Sequence, residues 1–124
     1  MEKTLKQFQA VVARCRDLFV RKTADYGTAW RILRPSSITD QLYIKALRIR
    51  SIEEKGAQKV EDPIEAEFIG LVNYSVLALI QLSLEENAPL ELAPQEVSVL
   101  FDQHISENIR LLQAKTMTMM RPGV

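Results

Sequence analysis

The sequence is poor in cysteine, histidine, glycine and proline, with 1, 1, 4 and 5 of them in 124 residues. A single cysteine, Cys15, excludes an intramolecular disulfide and a cysteine-based metal cluster, which fits a reducing compartment. So few glycines and prolines leave little room for the tight turns of a hairpin-rich β protein. Lysine plus arginine and aspartate plus glutamate each number 16. This balance argues against a nucleic-acid binder that relies on bulk positive charge.

Long hydrophobic runs are also missing. The longest, from Phe68 to Leu82, is interrupted by polar residues, and it falls short of the roughly 18 residues that indicate a membrane span. The N-terminal residues lack the apolar segment of a signal peptide. We therefore expect a soluble, cytoplasmic protein with no membrane partner. An apolar fraction of 47% is sufficient for a core, and the length is that of one domain.

Apolar residues instead recur at spacings of three and four along four segments, without sustained alternation of apolar and polar residues. This pattern predicts an all-α fold with a four-helix arrangement. The first helix should run from about Thr4 to Arg21, with a stop at Asp25-Tyr26-Gly27, where glycine can adopt a left-handed backbone. Residues 23–37 should form an irregular segment that packs back on the domain.

The second and third predicted helices have different start signals. Ser37, with Asp40 three residues later, resembles a capping box for a helix that reaches about Lys55. Asp62-Pro63 suits the cap and first position of a third helix, which should extend to about Leu84. That helix is apolar on two faces, which is typical of a helix that is central in a bundle or shared with a partner chain. We therefore expect the fold to be completed by homodimerisation or a higher oligomer.

The fourth predicted helix begins at Pro94 and resembles the first at an offset of 93, which places Phe8 on Phe101. The tail that follows has no capping or core pattern. One permitted codon spelling of this tail, read from its third base, encodes Asn-His-Asp-Tyr-Asp-Glu-Ala-Trp-Arg, which is close to residues 23–31. We divide the chain into a domain over 1–90, the first helix of a truncated second repeat over 91–115, and a disordered or frameshifted tail over 116–124. An ordinary short tail is the alternative.

Charged and aromatic residues cluster around Gly27. They are Lys22, Asp25, Tyr26, Trp30 and Arg31. An aromatic ring can stack on a base, and Arg or Lys can bind phosphate, so the cluster suits a nucleotide or another small phosphorylated ligand. The alternative is a helix end followed by an anchored loop, with Trp30 in the core and the charges in water.

A second cluster lies on the second and third helices, where Lys45 and Arg48 are followed by Glu53, Glu65 and Glu67. Carboxylates from two facing helices can hold Mg²⁺, which activates water and neutralises developing charge. The alternative is a solvated helix end followed by an acidic first turn that complements the helix dipole.

Three isolated residues have simpler interpretations. Asn73 lies inside the most apolar helix, and a buried amide needs a partner on another helix or on a ligand. His104 has no neighbouring nucleophile and is interpreted as a surface or interface residue. Cys15 lies on an apolar stripe and should be a buried thiol.

Together these segments resemble a known family. The stretch KTADYGTAWRILRPSSITDQLYIKALRIRSIEE, followed by EFIGLVNYSVLALI, resembles the nucleotide-modification-associated domain 1 family, some members of which carry the domain twice. The resemblance covers residues 1 to about 85, and its clearest marks are Asp25-Tyr26-Gly27, Trp30, Arg48 and Asn73-Tyr74.

A more distant similarity is to the MazG-like all-α nucleoside triphosphate pyrophosphatases, helical oligomers that bind Mg²⁺ through Glu-x-x-Glu on one helix and Glu-x-x-Asp on the next. This chain departs from both motifs. Glu53 and Glu54 are adjacent, and Gly70 stands at the position of the second motif's Asp.

The resemblance implies a nucleotide-binding helical domain related to Mg²⁺-dependent pyrophosphohydrolases, with catalysis either retained or lost. The residues implied fall into three groups. Catalytic acids would be Asp25, Glu53 and Glu65; Mg²⁺ ligands would be Glu53, Glu65 and Glu67; substrate contacts would be Lys22, Tyr26, Trp30, Arg31, Lys45, Arg48 and Asn73. The rival hypothesis is a non-catalytic helical oligomerisation module.

Overall fold

The structure, a computed structural model, describes residues 2–55, 64–85 and 87–119. The described residues contain four α-helices and no strand, which confirms the all-α prediction. The helices are α1 (Glu2–Tyr26), α2 (Pro35–Lys55), α3 (Ile64–Ser83) and α4 (Pro94–Met119), with a single 3-10 turn at Ala29–Ile32. Homodimerisation stays a prediction.

The helix α1 is longer than predicted at both ends, and its last turn includes Asp25 and Tyr26. Gly27 follows with a φ of 65°, and its N–H donates to the carbonyl of Thr23 at 2.8 Å. A left-handed residue directly after the last turn ends a helix. The predicted stop at Asp25-Tyr26-Gly27 is confirmed, and the irregular segment that should begin at residue 23 begins at Gly27 instead.

The predicted capping box at Ser37 and Asp40 is wrong, because α2 begins two residues earlier, at Pro35. The N–H groups of Ser37 and Ile38 donate to the carbonyl of Arg34 at 2.9 and 3.2 Å. Proline suits the first helical position, since its φ is already helical and the missing N–H would have had no partner there. The predicted cap of α3, Asp62-Pro63, lies outside the described residues.

The core forms where α1, α3 and α4 meet. Phe19 of α1 and Phe101 of α4 have ring centroids 4.9 Å apart with the planes tilted by 46°, a favourable arrangement for aromatic pairs. The buried cluster consists of Phe19, Ile38, Val76, Leu77, Ile80, Leu92, Val97 and Phe101. Cys15 is fully buried, as predicted, and burial raises the pKa of its thiol.

The fourth helix contributes to the same core as the first three. Val97 and Phe101 are almost completely buried, so the segment assigned to a second repeat packs against the predicted domain of residues 1–90. The backbone of α4 is helical through Met119, four residues into the predicted tail. The repeat and frameshift origin stays a prediction.

Among the described helices, only α3 is long and apolar enough to cross a membrane by those two measures. Mostly buried core helices of soluble proteins meet the same criteria, whereas 22% of the α3 window is buried. The predictions of a cytoplasmic protein and of no membrane partner stay predictions.

A polar clasp, formed by Thr28, Arg31 and Gln81, ties the segment after α1 to the loop between α3 and α4. The Arg31 guanidinium donates to the side-chain oxygen of Gln81 and to the carbonyls of Ala88 and Pro89 at 3.2 and 3.3 Å. The Gln81 amide nitrogen donates back to the carbonyl of Arg31 at 2.7 Å. The guanidinium thus satisfies carbonyls that a short loop leaves without backbone partners.

Thr28 forms the other half of the clasp. Its hydroxyl donates to the carbonyl of Leu90 at 2.9 Å and accepts from the N–H of Leu92 at 3.1 Å. Both Thr28 and Arg31 are buried, and buried polar groups stabilise a fold when they are paired. The expectation that this segment packs back on the domain is confirmed.

We predict that Arg31→Met lowers the free energy of unfolding by about 1.5–3 kcal/mol, because a charged donor and its acceptors lose their hydrogen bonds. The matched control is Arg34→Met, which removes an exposed arginine three residues away and should change stability by less than about 0.5 kcal/mol. Urea titrations of both variants measure the difference. Equal losses would contradict the clasp.

Candidate functional site

A cleft of about 550 Å³ opens at the end of α1, between the 3-10 turn, α2 and the first half of α3. It brings together five of the seven predicted substrate-binding residues, which are Lys22, Tyr26, Trp30, Lys45 and Asn73. These residues come from four separate elements. The volume lies in the range of small-molecule sites, roughly 300–1,000 Å³.

The cleft is apolar with a few polar side chains. Its apolar wall includes Leu18, Phe19, Ala29, Ile32, Leu33, Tyr74 and Leu77. Among the described residues that line it, two are lysines and none is a carboxylate. Apolar walls with a few polar groups that orient a ligand are typical of small-molecule sites.

Lys22 and Tyr26 form one side of the cleft. They lie one turn apart at the end of α1, and the Lys22 ammonium is 5.6 Å from the centre of the Tyr26 ring, within the range of a cation–π contact. Tyr26 is 71% exposed. An exposed ring beside a cation offers a stacking surface and a phosphate contact in one place.

Glu67 lies behind Lys45 and is buried between α2 and α3. The Arg48 guanidinium lies 3.0 Å from its Oε1, and the Lys45 ammonium lies 3.3 Å from its Oε2. Oε2 accepts no hydrogen bond from the described residues, so Lys45 contributes its charge without hydrogen-bond geometry. A carboxylate that is only 4% exposed requires such compensation, since an unpaired buried charge is strongly destabilising.

Gly70 leaves room for Lys45 beside α3. A Cβ at this position would lie 3.1 Å from Cε of Lys45, closer than ordinary van der Waals contact. The missing side chain thus lets the lysine stem lie along the helix and lets its ammonium reach Glu67. Gly70, which stands where the second MazG-like motif has Asp, is thus the residue that makes room for Lys45.

The predicted Mg²⁺ ligands do not come together. Glu53 is exposed at the end of α2, Glu65 forms an ion pair with Arg14 of α1, and both oxygens of Glu67 face cations. The described residues contain no group of three or more His, Cys, Asp or Glu that could hold a metal. Within the described part of the chain, the predicted Mg²⁺ ligands therefore do not form one site.

Five further predicted site residues do not line the cleft. The carboxylates of Asp25, Glu53 and Glu65, predicted as catalytic acids, are exposed, and none is a lining residue. Arg31 was expected to contact phosphate, but its guanidinium binds Gln81 and two loop carbonyls instead. Arg48 lies behind the cleft, on Glu67.

Asn73 has one of the two partners that the sequence left open, a backbone carbonyl on another helix. Its amide nitrogen donates to the carbonyl of Cys15 at 3.1 Å, which ties α3 to α1. Its Oδ1 is buried and has no hydrogen-bond partner in the described part of the chain. Since a carbonyl can only accept, the nitrogen must face Cys15. Contact with a ligand stays a prediction for Asn73, which lines the cleft.

Sequence reasoning missed Thr28, Gln81 and the packing role of Gly70. Gln81 carried a usable signal, because it is a polar residue in a highly apolar helix, as Asn73 is. Thr28 had no such signal, since its partners lie more than sixty positions away.

The region around the cleft also matches a known family. Residues 22–82 match the family model described as nucleotide modification associated domain 1. The match spans just under half of the chain and includes every lining residue except Leu18 and Phe19. Comparison with curated proteins and with solved structures gave no match. The first resemblance drawn from the sequence is thus confirmed over these residues, and the MazG-like similarity stays a prediction.

We predict that Glu67→Gln lowers the free energy of unfolding by about 1.5–3 kcal/mol, because contacts to a charged partner are lost in a buried position. The control Glu65→Gln removes the same charge from the same helix, but it breaks only an exposed pair and should cost less than about 1 kcal/mol. Urea denaturation of both variants compares the two sites. A Glu65→Gln loss as large as that of Glu67→Gln would contradict the role given to Glu67.

Proposed function

We propose that this domain binds a nucleotide in the cleft at the end of α1. The observation that carries the proposal is the convergence of Lys22, Tyr26, Trp30, Lys45 and Asn73 on one apolar cleft. The match to a nucleotide modification associated domain over the same residues supports it.

The cleft offers suitable side chains for both the base and the phosphate of a nucleotide. The base stacks on Tyr26 or Trp30, because aromatic faces bind bases of any sequence. The phosphate lies near the ammonium groups of Lys22 and Lys45, which bind phosphate as point charges. Asn73 is part of the same lining and contacts the bound nucleotide there.

Binding is proposed here without hydrolysis. A pyrophosphohydrolase needs a base or a metal-bound water within reach of the reacting phosphate. The predicted acids Asp25, Glu53 and Glu65 do not line the cleft. The placement of the described residues thus supports recognition of a nucleotide, and no catalytic step is derived from it.

The single tryptophan, Trp30, lines the cleft and reports binding without labelling. The common nucleotides are tested with and without Mg²⁺. We expect at least one of them to change the Trp30 fluorescence in a saturable way and to give matching heat in calorimetry. Tyr26→Ala should weaken binding roughly 5- to 150-fold, the effect of losing one stacked base. The control Tyr43→Ala removes a comparably exposed tyrosine that does not line the cleft. Absence of binding by every nucleotide would overturn the proposal.

A second candidate function, oligomerisation, is favoured by the outer face of α3. Phe68, Leu79 and Leu82 are 47%, 41% and 71% exposed, and their spacing places them on one side of the helix. Ser75 lies among them, but its hydroxyl donates to the carbonyl of Leu71 at 2.8 Å and is thus already paired. Continuous apolar faces of this kind are typical of contacts with another chain.

We expect sedimentation measurements to show a dimer of the wild-type chain that Leu82→Glu converts into a monomer, because a buried charge opposes association. Leu111→Glu is the control, since Leu111 is a similarly exposed leucine on α4. A wild-type monomer at micromolar concentration would count against this second function, and it would leave the nucleotide proposal intact.

A further inference from the structure

We infer that the cleft binds the phosphate of a nucleoside monophosphate directly on Lys22 and Lys45, with no divalent metal ion between protein and phosphate. This inference rests on the proposed function and narrows it, because it specifies the number of phosphates and the cations that hold them. The predicted Mg²⁺ ligands Glu53, Glu65 and Glu67 do not form one group in the described structure.

The cation beside the buried carboxylate is a lysine. The Lys45 ammonium lies 3.3 Å from Oε2 of Glu67, and Arg48 lies 3.0 Å from Oε1. A metal ion on this carboxylate would have to displace both side chains. It would also need further oxygen ligands, and the described residues that line the cleft supply no other carboxylate.

The stem of Lys45 is held in place as well. Its Cε and Cδ lie 3.1 and 3.4 Å from the position that a Cβ at Gly70 would take. The lysine thus lies along α3 as part of the cleft lining, with its ammonium 3.3 Å from Oε2 of Glu67 and 24% of its side chain exposed. Because no hydrogen bond ties the ammonium to Oε2, its N–H donors can turn to a phosphate.

The charge of the cleft matches a single phosphate. Its lining includes two lysines and, among the described residues, no acid. A phosphate monoester carries about −1.5 to −2 charges near pH 7. Lys22 offsets this charge with its whole ammonium charge and Lys45 with a part of its own, because Lys45 also balances Glu67. A triphosphate carries more charge than this pair can balance, and proteins commonly bind it together with Mg²⁺ and carboxylates.

Calorimetry of the full chain with the 5′-mono-, di- and triphosphates of the common nucleosides, in EDTA and in Mg²⁺, tests this inference. We expect a monophosphate to bind with the same affinity in both buffers, within about twofold, and more tightly than the corresponding triphosphate. Binding that EDTA abolishes, or a triphosphate that binds as tightly as the monophosphate, overturns the inference and leaves the proposed function standing. Absence of binding by every nucleotide overturns the proposed function itself.

Variants separate phosphate recognition from base recognition. Lys22→Gln should weaken binding of the monophosphate about tenfold or more, as expected for a lost charge-assisted contact, while binding of the nucleoside without phosphate is unchanged. Lys6→Gln, on an exposed part of the same helix, is the control and should change neither. An equal loss for nucleoside and monophosphate in Lys22→Gln would overturn the phosphate assignment.

A second lysine variant addresses Lys45, whose loss also affects Glu67. Lys45→Met combined with Glu67→Gln removes the cation and the charge it compensates, and it should keep the helical content in circular dichroism. We expect this double variant to lose monophosphate affinity by about tenfold or more. Glu67→Gln alone should retain that affinity, and a loss as large as that of the double variant would overturn the role of Lys45.

Inorganic phosphate and ribose 5-phosphate serve as probes that lack the base. If either binds as tightly as the nucleotide, the inference that the ligand is a nucleoside monophosphate is overturned.

Discussion

The buried carboxylate of Glu67 is the constraint on which the packing of α2 against α3 depends. A charge that is nearly removed from water must be balanced where it lies, and here Lys45 and Arg48 of α2 supply the balance. The two helices form the most extensive contact in the described structure. Their register is thus determined by an ion pair as well as by apolar packing.

The same ion pair shapes the cleft. It holds Lys45 beside Gly70 of α3, where the lysine is part of the cleft lining. The clasp around Arg31 acts from the other side, because it holds the 3-10 turn that carries Trp30 against the loop after α3. Two polar networks thus position Lys45 and Trp30, the cation and the ring that a nucleotide would meet.

Much of the fold followed from local patterns. Spacings of three and four identified four helices, and Gly27 and Pro94 marked two boundaries correctly. The start of α2 was wrong because Ser37 and Pro35 both suit a helix start, and proline at the first position prevailed. For the site, residue types near Gly27, on α2 and at Asn73 of α3 indicated ligand binding, and five of those residues do line one cleft.

The sequence by itself determined the helices, their apolar faces and the residue types available for a ligand, because these depend on periodicity and on chemistry within a few positions. Only the tertiary structure decided which charges are engaged. Arg31 and Glu67 resemble exposed binding residues in the sequence, but partners 50 or more positions away occupy Arg31, and α2 surrounds Glu67. A charged side chain can contact a ligand or a distant part of its own chain. Burial and long-range pairing decide between the two, and the local sequence encodes neither.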